Sequence, residues 1–155
     1  MKIIISSFFF FINTVTVNAQ ELDIINVRNL YYKAVESNEV IHELKNVVNN
    51  YKNDTCLIIG YTAATHMLQA KHSIDPITKY KWFVKGRNLF EETIQKNTQS
   101  IELRFLRYSI QKQLPSFLNY HSEIENDRDF ILSNLVNIDD NDLEKKITSF
   151  LTNYP

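Results

Sequence analysis

Val40-Ile41-His42-Glu43-Leu44-Lys45-Asn46-Val47-Val48-Asn49-Asn50-Tyr51 decides the fold of this chain. Its apolar residues, Val40, Ile41, Leu44, Val47, Val48 and Tyr51, recur at the period of one face of an α-helix and do not alternate as in a half-buried strand. Asn49, Asn50, Asn53 and Asp54 end the pattern, and Asp54 is placed to cap the helix that follows.

Toward the amino end, Leu22, Ile25 and Tyr32 with Ile24, Val27, Tyr31 and Val35 form a second helical stripe, closed by Ser37 and Asn38, which offer a break and a new N-cap. Toward the carboxyl end, Thr55 to His72 has a wide apolar arc, so this helix is expected at the centre. Gly60, Ala63 and Ala64 remove bulk where a neighbour approaches, and Thr62, Thr65, Gln69 and His72 form a narrow polar stripe. Asp75-Pro76 turns into a helix over about Ile77 to Lys96, which buries Trp82, Phe83, Gly86, Leu89, Phe90, Thr93 and Ile94. A further helix is expected from about Ser100 to Lys112, with Pro115 stopping it. Ser122-Glu123-Ile124-Glu125 has the form of a capping box, and Asn141-Asp142-Leu143-Glu144 a looser one, before two last stripes. Seven helices and no strand result.

Composition agrees with this reading. The 155 residues include two glycines and three prolines, far fewer turn residues than sheets or barrels require. The fold class expected is therefore all-α, with antiparallel helix pairs in a compact bundle.

Met1-Lys2 followed by Ile3 to Ile12 reads as a secretory signal, with a basic start and an apolar run too short to span a bilayer comfortably. Val17-Asn18-Ala19 places the cut before Gln20, so residues 1–19 are a signal peptide and 20–155 a single all-helical domain in the periplasm or outside the cell. Retention of residues 3–17 as an uncleaved anchor is the alternative; after cleavage no membrane insertion is expected. Lys2 leaves with the signal, so the net charge of −1 becomes about −2. No basic run exists, which argues against a nucleic-acid partner. Cys56 is the sole cysteine and sits among Leu57, Ile58 and Ile59, so no internal disulfide forms and a buried, inert thiol is expected. Asn53-Asp54-Thr55 fits the glycosylation acceptor pattern, a match that an Asn- and Thr-rich chain also makes by chance.

Gly86, Phe90 and Thr93 have the spacing of the second helix of a tetratricopeptide repeat. The likeness covers one helix pair, and its connector is about ten residues longer than that repeat's. Glu102-Leu103-Arg104-Phe105-Leu106-Arg107, Pro115, Phe117-Leu118, Tyr120 and Asp127, within Gly86 to Phe130, resemble a family of small exported helical proteins from Bacteroidota. That resemblance implies no known activity. It marks Glu102, Arg104, Arg107, Pro115, Tyr120 and Asp127 as the positions to follow, and Asn119 stands where the family pattern has glycine.

Arg104 and Arg107 lie about 60° apart on a helix, so their guanidiniums can converge on one anion. Either that anion is a bound carboxylate or phosphate, or the arginines pair within the protein, with the neighbours of Glu102 or with Asp127, and pin the turn at Pro115. No glycine-rich phosphate cradle and no Gly-x-Ser-x-Gly elbow accompanies them. His42, His66, His72 and His121 lack the spacing of a helix-borne zinc site, so no metal or cofactor is expected. Glu123, Glu125, Asp127 and Asp129 read as a solvated helix start, and aromatic residues such as Trp82, Phe105, Tyr108, Phe117 and Phe130 as core.

The function these features favour is contact with another exported or envelope protein, or a structural role, without catalysis. Two other readings stay open. One is a hydrolase holding an anionic substrate through Arg104 and Arg107, with Asp127 or Glu102 as acid or base. The other is a carrier of small apolar ligands, with a void near Trp82 and Tyr61.

Overall fold

The computed structural model of the protein describes residues 23–51 and 55–154. The signal read from residues 1–19, the glycosylation acceptor Asn53 and the cap Asp54 lie outside them. Among the described residues the chain forms seven α-helices and no strand: α1 (Ile24–Glu36), α2 (Glu39–Asn50), α3 (Cys56–His72), α4 (Pro76–Lys96), α5 (Ile101–Gln113), α6 (Ile124–Asn134) and α7 (Asn141–Asn153). Single 3-10 turns, Ser116–Leu118 and Leu135–Asn137, follow α5 and α6. The all-α expectation holds, with the helices packed as a bundle.

Short polar side chains start most of these helices. Asp23, Thr55, Asp75, Ser100 and Asp140 each accept a first-turn backbone N–H, satisfying donors that have no partner inside the helix. Three expected starts differ. Asn38 sits in helical backbone and makes no side-chain cap. The capping box at Ser122 does not form: α6 starts at Ile124, and Glu123 instead turns toward Arg107 at 3.7 Å and accepts a bond from the Asn126 amide. The looser box at Asn141 gives way to Asp140, whose carboxylate takes the amides of Asp142 and Leu143, both at 3.0 Å.

As expected, α3 is central, packed against α1, α2, α4 and α5, and most extensively against α4. Its close approaches depend on glycine. A Cβ on Gly86 would stand 2.9 Å from the Ala63 carbonyl oxygen, and one on Gly60 would overlap the Leu103 side chain. On α4, Phe83, Phe90, Thr93 and Ile94 are buried as expected, whereas Trp82 and Leu89 are half-buried. Cys56 is a free thiol, half-buried where full burial was expected.

The sequence pattern did not show that α5 is buried on every side. Leu103, Leu106 and Ile110 enter a large core shared with α1 to α4, while Phe105 and Tyr108 join Ile131, Leu143 and Ile147 in a second, smaller one. Of the polar residues of α5, Arg104 and Lys112 are half-buried and Gln113 is exposed, while Glu102, Arg107, Ser109 and Gln111 are therefore inside the protein. A charge in that position is tolerable only if paired and hydrogen-bonded.

Candidate functional site

Two buried charge networks run off α5, and both contain residues singled out from the sequence. In the first, Glu102 is gripped by Arg28 of α1 through two parallel bonds, Nε to Oε1 at 2.9 Å and Nη2 to Oε2 at 3.0 Å. Arg28 also reaches Asp142 at 2.6 Å and Asp140 at 2.9 Å, and the Tyr61 hydroxyl donates to Glu102 at 2.6 Å. Burial alone would weaken the charged guanidinium, but bonds to Glu102 and Asp142 outweigh it and push the Arg28 pKa above its ordinary value. The Tyr61 hydroxyl is pushed well up, first by burial and then by the charge of Glu102. Asp140 is held below the usual carboxylate range: burial works against this, and the Leu143 amide and Arg28 overcome it.

Arg28 was not singled out from the sequence. It occupies the apolar stripe of α1, four residues after Ile24 and three before Tyr31, and a cation on a core-facing stripe must be paired. That position was the available signal. Its partners lie 74 to 114 residues away, so no local motif names them.

The second network joins the other marked positions. Arg107 donates from Nε to Asp127 Oδ2 at 2.7 Å, from Nη2 to Asp127 Oδ1 at 2.8 Å, and from Nη1 to Glu91 at 2.8 Å. Arg104 donates to the same Asp127 Oδ1 at 2.9 Å and to the Thr98 carbonyl at 2.8 Å, while its guanidinium lies over the Phe130 ring. The Tyr120 hydroxyl donates to Glu91 at 2.6 Å. The anion on which the two arginines converge is thus Asp127 itself, a fully buried carboxylate and not part of a solvated helix start. Glu102 lies on another face of α5 and belongs to the Arg28 network.

This second network fixes the segment after α5. Tyr120 is pinned to Glu91 of α4 and meets the Phe83 ring edge-on, and the His121 ring bonds the Leu114 carbonyl oxygen at 3.1 Å. Between them the chain passes through Pro115 and the 3-10 turn to Asn119, whose φ of 48° and ψ of 47° are left-handed. A glycine is the easiest residue to place there, and asparagine the next.

The pinned segment is one wall of a cleft of about 580 Å³. Tyr31 and Val35 of α1, Met67 and Leu68 of α3, and Phe83 of α4 line it, with Ala64 and Ala70 leaving room at its base. Pro115, Phe117 and Leu118 close the wall, and Tyr80 and Phe117 stand at the mouth, 59% and 83% exposed. Phe117 is therefore not a core residue as the sequence implied. The cleft lies away from the place where a void was expected: Tyr61 is fully buried, and Trp82 packs on the His66 ring. Among the described residues, the charged side chains lining the cleft are Lys71 and Lys79.

Among the described residues, no group of three or more His, Cys, Asp or Glu side chains is arranged to hold a metal ion, and no helix is long and apolar enough to cross a membrane. Comparison of the chain with protein-family models, curated proteins and solved structures finds no match.

Proposed function

We propose that this is an exported, non-catalytic binding domain whose working surface is the cleft between α1, α3, α4, α5 and the Pro115–Leu118 wall. The observation that carries this reading is the cleft itself, a concavity of about 580 Å³ lined mainly by apolar side chains and open to solvent. Its size lies in the range of small-ligand sites, roughly 300–1,000 Å³. The positions that carry the resemblance to exported Bacteroidota proteins support the reading through architecture: Arg107, Asp127 and Tyr120 hold the wall, and Pro115 is part of it. Export rests on the apolar leader and the Val17-Asn18-Ala19 cut.

Contact with another exported protein is supported separately by the apolar side chains outside the cleft, since Ile74 and Ile77 are 98% and 67% exposed. The hydrolase reading draws less support. Every nitrogen of the Arg107 guanidinium already donates to a carboxylate of this chain, and Glu102 belongs to a different network.

A neutral environment-sensitive dye, N-phenylnaphthylamine, tests the cleft without involving charge. Saturable binding at one site is expected, lost in Ala70→Phe, which fills the base, and weakened about threefold or more in Phe117→Ser, which thins the mouth. Absence of saturable binding, or identical binding by all three proteins, overturns the reading.

A further inference from the structure

We infer that the cleft takes a single-chain amphiphile with an anionic head, namely a free medium-chain fatty acid, with its tail among Met67, Leu68 and Phe83 and its carboxylate between Lys71 and Lys79. The inference rests on the cleft being the binding surface and specifies what it binds. The argument for the tail comes from the walls. They are almost entirely helical, so their main-chain donors and acceptors are spent within the helices. An extended peptide needs such groups for its own backbone, and a bound helix needs a groove long enough for anchors over two or more turns. A hydrocarbon chain needs neither.

The argument for the head comes from charge. Among the described residues no Asp or Glu lines the cleft, whereas Lys71 and Lys79 both do. Lys71 is held in place, because its ammonium donates to the Val35 carbonyl oxygen at the end of α1, 2.8 Å away. An ammonium has three N–H donors, so two remain for ligand oxygens. The nearest acid in sequence, Asp75, has its carboxylate on the Thr78 amide at 2.7 Å. Two lysines in the lining of an apolar cleft, with no competing anion there among the described residues, complement a carboxylate on a hydrocarbon tail and disfavour a cationic amphiphile.

Displacement of the neutral dye from the purified protein by straight-chain monocarboxylic acids of increasing length, and by the matching primary alcohols, tests this. Affinity is expected to rise about fourfold per added methylene until the tail outgrows the cleft. In the double variant Lys71→Gln, Lys79→Gln, which keeps a donor near Val35 but removes both charges, the acids should bind about tenfold more weakly or worse, and the alcohols within about twofold of the parent protein. Equal binding of acids and alcohols, or a double variant that binds acids like the parent, overturns the head-group assignment while dye binding keeps the cleft reading intact. Displacement by an amphipathic peptide but by no acid overturns the fatty-acid ligand in favour of a protein partner. Failure of the dye itself to bind removes both readings together.

Discussion

Arg107 and Asp127 face each other through two parallel hydrogen bonds of 2.7 and 2.8 Å, and the same carboxylate also takes a bond from Arg104 at 2.9 Å. One aspartate, without measurable exposure, therefore balances two cations. Removing it takes from Arg104 the carboxylate it bonds and leaves the buried Arg107 with Glu91 and the more distant Glu123. Asp127→Ala should lower unfolding stability in urea by about 3–5 kcal/mol, whereas Glu92→Ala, which breaks the exposed pair with Lys96, should change nothing measurable. A loss below about 1 kcal/mol for Asp127→Ala would show that the network is decorative.

Breaking the other network should leave a pH signature. In Arg28→Met, Glu102, Asp140 and Asp142 lose their common cation and repel one another. The parent protein has Asp140 depressed below 3.8, so its contribution is present above that pH and is lost as pH falls through the lower folded value. In the variant, protonating the acids relieves repulsion, so the deficit relative to the parent should shrink on acidification. Chemical denaturation at neutral pH and near pH 4 checks this, and a deficit that grows in acid contradicts it.

His66 provides a second, separate pH window. It is buried against Trp82, bonded to Gln69 at 3.2 Å, and its pKa is lowered, first by burial and then by the nearby cations Lys85 and Lys45, against the opposing bond to Gln69. A histidine depressed in the folded state contributes full stability above its ordinary value of about 6.5, and loses it as pH falls from there toward the folded value. His66→Gln should flatten the fall in melting temperature over that range. A parent protein already flat there would count against the assignment.

At two backbone positions, losing a glycine and gaining one carry opposite expectations. Gly86→Ala gains helix propensity of about 1 kcal/mol but forces a Cβ onto the Ala63 carbonyl and Met67, for a net loss of about 1–2 kcal/mol. Asn119→Gly should stabilise by up to about 1 kcal/mol, because the left-handed backbone there suits glycine. Asn119→Val should cost at least as much. Thermal melts of the three variants rank them.

Helix number and class were legible because the Val40 to Tyr51 stripe and the arc of α3 face only a helical core, and because two glycines leave no room for a sheet's turns. The burial of α5 was not legible. Glu102, Arg107 and Gln111 are polar and lie on different faces of α5, yet all three are buried, because two cores enclose that helix from different sides. Pairing at Asp127 was available as one of two readings, since Arg104 and Arg107 point the same way. The cleft left no trace in periodicity, because it arises where the ends of four helices and a turn meet, and no single segment carries its shape.

The Arg28 clasp also sets an order of events during synthesis. The first helix carries a cation whose counter-ions arrive in two steps, Glu102 74 residues later and Asp140 and Asp142, at the start of the last helix, 112 and 114 residues later. A chain made from its amino end therefore has Glu102 to pair with Arg28 before the last two carboxylates exist, and closing the remaining span is slow. Completion of the clasp is deferred to the moment the carboxyl-terminal helix docks.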